Sequence, residues 1–315
     1  MVDLALLNNE LFQHAAEISA ARKAKNTVEA YESDWRQFQT WCDGYKIESL
    51  PASEHCVSLF VTDLSHKGAK YATIARKITA INQKHLAEGH IRPGKRILRE
   101  VLQGIRRLRG TAQRKAKPIT WPILQRIIAE TKNSRLGTRD RALLLIGFSG
   151  ALRRSELVAI DLEDIEFLEE GMVINQKHSK TNQEGELRKI AIPFIDSPGM
   201  CPVRALRAHI EESSIKEGAL FRRRDLRLAS RGVSIIIKKY VEKLGFDPAD
   251  FSGHSLRAGF ATSATQAGVR SAAIMSRTGH KSFSVFSGYV REGTLFVEHP
   301  LIEIVNRFSL KSTTT

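Results

Sequence analysis

The stretch GALRRSEL, residues 150–157, is the segment on which the fold assignment of this chain depends. One predicted helix ends at Gly150 and the next begins directly after it. In this second helix start, Arg153 precedes Glu156 by three residues. Side chains three apart share a helical face, where an arginine and a glutamate commonly form an ion pair. Taken alone, the pair fits a structural ion pair as well as it fits a catalytic site.

Three later segments carry side chains of related chemistry. They are QKHSKT at 176–181 with Lys177 and Lys180, SGHSLR at 252–257 with His254 and Arg257, and TGH at 278–280, whose His280 precedes Tyr289 by nine residues. The first is a predicted hairpin turn and the second a predicted helix start, where the i, i+3 spacing puts the histidine and the arginine on one face. Each residue alone has an ordinary structural interpretation, so only the joint occurrence is informative.

Together these side chains are sufficient for phosphoryl transfer without a metal. Two arginines can neutralise the charge that builds on one phosphate. A lysine can protonate a leaving oxygen, a histidine can move protons near neutral pH, and a tyrosine hydroxyl can attack as a nucleophile. The sequence has no dense carboxylate cluster for a two-metal nuclease and neither glycine-rich motif for ATP or a dinucleotide, so no metal and no cofactor is expected.

Positive charge is concentrated outside this constellation. The chain has 315 residues, with 49 Lys and Arg against 34 Asp and Glu and a formal net charge of +15. Fifteen of the basic residues fall between positions 67 and 117, opposed only by Glu88 and Glu100. Such a stretch attracts a polyanion, most commonly nucleic acid, in a salt-dependent way. A solvated basic face is the alternative; an anionic membrane surface is disfavoured, because no strongly apolar face accompanies the charge.

Apolar periodicity predicts a mainly α protein with a small β-sheet. Helices are predicted at 27–42, 53–67, 70–88, 95–109, 120–131, 138–149, 202–213, 230–244, 254–267, 270–278 and 297–308, and strands at 172–176 and 187–192. Residues 1–109 are helical throughout, 110–119 form a polar, basic linker, and 120–315 form a mixed second domain.

Hydropathy and cysteine content indicate the cellular compartment in which the protein is expected. The longest apolar run, 142–148, is far shorter than the ~20 residues of a membrane span, so no membrane partner is expected. Three scattered cysteines, at 42, 56 and 201, argue against a disulfide framework and fit a reducing compartment. We expect a cytoplasmic, nucleoid-associated protein.

The four segments, taken in this order, resemble the tyrosine recombinase (phage integrase) family, most closely its Cre- and Xer-like two-domain members. The residues that match its motifs are Arg153 and Glu156 (Arg-x-x-Glu), Lys180 (hairpin lysine), His254 and Arg257 (His-x-x-Arg), His280 and Tyr289. The resemblance covers essentially the whole chain. It implies that 1–109 is a helical core-binding domain and that 120–315 is an α+β catalytic domain ending in an oligomerisation helix.

The resemblance also implies a reaction. Tyr289 would attack a DNA phosphate to give a 3′-phosphotyrosyl link, with Arg153 and Arg257 clamping the phosphate. Lys180, or Lys177 three residues away, would protonate the leaving oxygen. His254 and His280 would move protons, and Glu156 would orient the group. The implied partners are double-stranded DNA with inverted-repeat sites and three further copies of the chain, as a homotetramer on two sites exchanging strands through a Holliday junction.

Basic residues elsewhere are candidates for DNA contacts. They are Lys70, Arg76, Lys77, Arg106 and Arg107 in the basic stretch, and Arg222 and Arg224 in the second domain. Two alternatives to recombination share part of this pattern. A type IB topoisomerase would relax one strand by the same chemistry, and a sequence-specific DNA-binding regulator would keep the residues without using them.

Overall fold

The structure is a computed structural model and describes residues 25–94, 96–110, 116–176 and 188–279, together with positions 282, 283, 288, 301, 304 and 305. The chain divides into two compact units, Met1–Arg114 and Lys115–Thr315. Each has its own apolar core. Of the helices in these described ranges, none combines the length and the apolar character needed to cross a bilayer.

The described part of the first unit is made of helices. They are α1 (Lys25–Gly44), α2 (Glu54–His66), α3 (Tyr71–Ala87) and α4 (Arg96–Arg109). Aromatic and aliphatic side chains at helical spacing fill the interior, and the rings of Phe38 and Phe60 meet edge to face at 5.0 Å. Ser53 begins α2, because its side chain accepts a hydrogen bond from the backbone N–H of Cys56.

A buried carboxylate pairs with two of the residues predicted to contact DNA. Asp34 of α1 is fully buried and accepts hydrogen bonds from Nζ of Lys77 at 2.9 Å and from Nε of Arg76 at 2.7 Å. Burial alone would raise the pKa of Asp34, but these two hydrogen bonds outweigh it and hold the pKa below its usual value. Lys77 is itself buried, and its charge is paired inside the unit, so its DNA contact stays a prediction that would require the lysine to leave Asp34.

The second unit combines helices with two small antiparallel sheets, one of three strands and one of two. Its helices are α5 (Trp121–Ala129), α6 (Arg135–Ser149), α7 (Arg154–Ala159), α8 (Pro202–Ser213), α9 (Ser230–Lys243), α10 (Ser255–Gln266) and α11 (Ser271–Thr278), and its strands are β1 (Ile165–Phe167), β2 (Gly171–Gln176), β3 (Arg188–Pro193), β4 (Arg222–Arg223) and β5 (Leu226–Arg227). Strands β1, β2 and β3 form one antiparallel sheet in that order. Ile174 pairs with Ile190, and both side chains face the core.

The prediction of a mainly α protein with a small sheet is confirmed. The two predicted strands are β2 and β3, which pair from Gly171 with Pro193 to Gln176 with Arg188. Strands β1, β4 and β5 were not predicted, because two or three residues are too few to show alternation. The predicted C-terminal helix at 297–308 lies mostly outside the described residues; positions 301, 304 and 305 are helical and exposed.

Close backbone approaches bring α10 against the rest of the unit. A Cβ on Gly259 would lie 1.7 Å from the carbonyl oxygen of Ile119, so only glycine fits there. The backbone N–H of Ile119 in turn donates to the Ser255 carbonyl at 2.9 Å. A Cβ on Gly147 of α6 would lie 2.9 Å from side-chain carbons of Leu157 and Leu256. The first turn of α10 is therefore held beside the end of α6.

Candidate active site

The first half of the site lies at the turn between α6 and α7. Ala151 adopts a positive φ of 48°, which reverses the chain after α6 and lets α7 begin at Arg154. Glu156 is buried, and its Oε2 accepts the backbone N–H of Arg153 at 2.8 Å. Its Oε1 accepts Nη1 of the same arginine at 2.5 Å. Glu156 therefore fixes both the backbone and the guanidinium of Arg153.

The second half comes from the start of α10. Arg257 is almost fully buried, and its Nη1 donates to the carbonyl oxygen of Ala151 at 2.8 Å. Arg153 and Arg257, which are 104 positions apart in the sequence, are thus anchored on one turn. A buried guanidinium is always charged and prefers oxygen ligands in a fork geometry. The buried Arg257 and the half-buried Arg153 at one turn form an arrangement suited to an anion such as a phosphate.

His254 lies beside this pair. Part of its surface is exposed, yet neighbouring protein atoms displace much of the water around the imidazole. This desolvation lowers the pKa of His254, and the positive charges of Arg257 and then Arg153 lower it further. The ring is therefore neutral at pH 7 in the absence of a bound anion. In that form it can accept a proton from a reacting group.

Arg188 is a further charged residue near this site, and no sequence motif predicts it. It is half-buried at the start of β3, and its pKa is lowered, first by burial and then by the charges of Arg153 and Arg277, while Glu156 acts in the opposite direction. Arg188 therefore belongs to the same electrostatic group as the predicted residues. The available signal was an arginine at the second position of the predicted strand 187–192, close after the predicted hairpin turn.

The structure brings Arg153, Glu156, His254 and Arg257 together. The other predicted catalytic residues, Lys180, His280 and Tyr289, lie outside the described residues, as does Lys177. Among the described residues, no group of three or more His, Cys, Asp or Glu side chains is placed to hold a metal ion.

The remaining DNA-contact candidates differ in their surroundings. Lys70, Arg106 and Arg107 are exposed on the first unit, whereas Arg76 is exposed but donates to both oxygens of Asp34. Arg222 is half-buried, and its guanidinium donates to the carbonyls of Ala219 and Glu217. Arg222 and Arg224 line a polar cavity of about 550 Å³ that also contains side chains of Arg135, Arg139 and Asp225.

Family patterns match both units. The Phage integrase family matches residues 120–294, and the N-terminal SAM-like domain of phage integrases matches residues 12–86. The integrase/recombinase xerD homolog of Selenomonas ruminantium is 39% identical over 299 residues, which span 90% of this chain and 87% of that protein.

Solved structures support the same fold. The Tn1549 transposon integrase in complex with transposon right end DNA superposes with a TM-score of 0.65 at 16% identity, covering 87% of this chain and 92% of that one. A lambda integrase dimer bound to a COC′ core site gives a TM-score of 0.61 at 18% identity, covering 90% and 95%. With the family match over more than half of the sequence, these findings show that the chain belongs to the phage integrase family and is a tyrosine recombinase.

Proposed function

We propose that this protein cuts and rejoins double-stranded DNA at specific sites, through a covalent link between Tyr289 and a 3′-phosphate. The observation that carries the proposal is the anchoring of Arg153 and Arg257 on one turn beside His254. Transfer of the phosphoryl group to Tyr289 requires that the phosphate is positioned and that the charge building on it is stabilised, and paired guanidinium groups supply both.

The chemistry runs in two balanced steps. In the first, the Tyr289 oxygen bonds to phosphorus, the P–O5′ bond breaks, and the phenolic proton passes to a histidine, His254 or His280. Lys180 gives a proton to the departing 5′-oxygen. In the second, a 5′-hydroxyl from another duplex attacks the same phosphorus and gives its proton to Lys180. The bond between phosphorus and the Tyr289 oxygen breaks, and the histidine returns its proton to that oxygen. The phosphodiester bond energy is kept in the intermediate, so neither ATP nor a metal takes part in this proposal.

The partners are part of the proposal. We infer a homotetramer that joins two inverted-repeat sites and exchanges strands through a Holliday junction, within a cytoplasmic, nucleoid-associated setting. Exposed apolar side chains at 301, 304 and 305 support an intermolecular contact, since their spacing places them on one helical face. Arg106, Arg107 and Lys70 are proposed to contact the DNA backbone, because they are exposed and basic.

The test is detection of a protein–DNA adduct. DNA carrying the repeats that flank the gene is incubated with protein in EDTA, and products are separated on a denaturing gel. Wild type should form an adduct and recombinant products, whereas Tyr289→Phe should form neither and Arg257→Ala should lose most of both. Relaxed topoisomers without recombinants would indicate a topoisomerase, and DNA binding without any adduct would indicate a regulator. Loss of wild-type activity in EDTA would contradict the metal-free chemistry.

A further inference from the structure

Two arginines join the outer edge of β3 to the last turn of α11. Nη2 of Arg188 donates to the backbone oxygen of Arg277 and lies 3.5 Å from the oxygen of Ser276. In the opposite direction, Nη1 of Arg277 donates to the Ala191 carbonyl on β3 at 2.7 Å. We call this pair of contacts the arginine clasp. The clasp connects residues that are 89 positions apart in the sequence, one on an edge strand and one at the end of a helix.

The clasp acts at a helix end that needs donors. The last carbonyls of a helix have no intrahelical partner, and a cation there also interacts favourably with the helix dipole. Gly279, which follows α11, has a φ of 63°. A Cβ at this glycine would lie 3.3 Å from Nη1 and 3.4 Å from Cζ of Arg188. The guanidinium therefore packs directly on the turn that ends α11.

The same guanidinium interacts electrostatically with two residues of the site. Arg153 and Glu156 both act electrostatically on Arg188, with opposite signs. Arg188 is thus in contact with the end of α11 and in electrostatic range of the Arg153–Glu156 pair. An arginine that served only to stabilise the sheet would need the contact with α11 but would not need to lie near Arg153 and Glu156.

We propose that Arg188 is a positioning residue for DNA cleavage: the clasp fixes the turn at Gly279 against β3 and so sets where the chain enters residue 280. This inference rests on the proposed function, because it takes His280 to act in cleavage. Arg188 touches neither DNA nor the reacting atoms in this role. It acts through the position of its neighbour.

The experiment separates cleavage from DNA binding. A nicked duplex carrying the gene's flanking repeats traps the covalent adduct, and its rate of formation is measured at saturating DNA for wild type, Arg188→Ala and Arg188→Lys. The affinity for DNA and the thermal midpoint are measured on the same proteins. Lys189→Ala is the matched control, since Lys189 is the next residue of β3, carries the same charge and is exposed.

We expect Arg188→Ala to slow adduct formation about 10- to 100-fold, because small displacements of reacting groups have effects of this size. The affinity for DNA should change by less than about three-fold, and Lys189→Ala should cleave as wild type does. In a His280→Ala background, Arg188→Ala should slow adduct formation by less than about a further two-fold. The reason is that the side chain which Arg188 is proposed to position, that of His280, is already absent.

The proposal is overturned if Arg188→Ala cleaves as fast as Lys189→Ala, or if its effect multiplies fully with that of His280→Ala. Arg188→Lys, which keeps the charge without the planar fork, should be slower than wild type. If Arg188→Ala does not fold, a folded Arg188→Lys with the wild-type rate overturns the proposal instead. If wild type itself forms no adduct, it is the proposed function that fails.

Discussion

Ala151 is the residue at which the two halves of the site meet. Its left-handed backbone conformation is uncommon for alanine and has an energetic cost, which the surrounding contacts must offset. Its carbonyl oxygen accepts the Arg257 guanidinium, and Arg153 follows two residues later. The sharp reversal of the chain at Ala151 allows the buried Arg257 of α10 and Arg153, the residue that precedes α7, to lie at the same turn.

Glu156 allows a prediction about how Arg153 is oriented. Glu156→Gln keeps the shape and one acceptor oxygen, whereas Glu156→Ala removes both hydrogen bonds to Arg153. We expect Glu156→Ala to lower the free energy of unfolding by about 1–2 kcal/mol, because α7 loses the acceptor at its first turn. Adduct formation should fall about 100-fold with Ala and less with Gln.

The measurements for this variant are urea unfolding and single-turnover adduct formation on the full chain. Glu166→Ala serves as control, because Glu166 is exposed on β1. If Glu156→Ala loses stability but keeps the wild-type cleavage rate, Glu156 is a structural residue only.

The sequence predicts individual site residues well where a motif carries them. Arg153, Glu156, His254 and Arg257 are predicted from two short segments, 150–157 and 252–257, and the structure places these four together; their roles in the reaction stay a prediction. The position of Arg188 in the site and the burial of Lys77 were not predicted. A lysine in a basic stretch looks exposed, and nothing in the local sequence reveals that Asp34, 43 positions earlier, holds it inside.

At the scale of elements, His85 joins α3 to the segment that precedes α2. Its Nδ1 lies 2.8 Å from the Ile81 carbonyl, which requires the proton on that nitrogen, and its Nε2 accepts the backbone N–H of Ala52 at 2.8 Å. Burial lowers the pKa of His85; the Ile81 hydrogen bond opposes this shift and the charge of His90 adds to it. A neutral ring is therefore the form that the fold selects.

The burial and hydrogen bonds of His85 predict that the free energy of unfolding depends on pH. Because the folded pKa lies below the unfolded value of about 6.5, the unfolded chain binds the proton first as the pH falls. The stabilisation is complete above about pH 6.5 and is lost as the pH falls through the folded pKa. Urea unfolding from pH 7.5 to 5 should therefore show a smaller pH dependence for His85→Leu than for wild type. Equal pH dependence in the two proteins would show that His85 does not titrate with unfolding.

Two glycines in helices predict opposite effects of the same substitution. Gly259→Ala should lower the free energy of unfolding of the second unit by about 3 kcal/mol, since its Cβ meets the Ile119 carbonyl, which is backbone and cannot rotate away. Gly104→Ala in α4 should raise the stability of the first unit by about 0.5–1 kcal/mol, because nothing lies within 4 Å of the added carbon. Calorimetry of the full chain measures both, and a Gly259→Ala protein as stable as wild type would contradict the packing described.

Helices are the elements that the sequence predicts best. Nine of those predicted within the described residues begin and end within about two residues of the structure, which is the usual precision of helix boundaries. The helix predicted from position 138 in fact begins at Arg135, because the side chain of Ser134 accepts the Gly137 N–H and caps it. Short strands depend on tertiary pairing, which leaves no periodic pattern to detect.

At the scale of the whole molecule, charge is separated along the chain. Most of the excess of Lys and Arg lies between positions 67 and 117, and the segment contains both exposed and internally paired cations. Net charge alone predicts attraction to a polyanion. Which cations meet phosphate depends on whether a carboxylate of the protein already holds them.

The salt dependence of DNA binding distinguishes these two classes of cation. Each phosphate contact contributes about 0.9 to the slope of log affinity against log salt, through counterion release. Arg106→Gln and Arg107→Gln should each reduce the slope by about 1, and by the same amount on unrelated DNA. Lys77→Gln removes the same charge but should leave the slope unchanged and lower the stability of the first unit, because Lys77 contacts Asp34. Binding titrations from 50 to about 300 mM NaCl, at a temperature where each variant is folded, measure the slopes. A reduced slope for Lys77→Gln with full stability would mean that this lysine leaves Asp34 to reach DNA, and an unchanged slope for both α4 variants would place the DNA on another face of the unit.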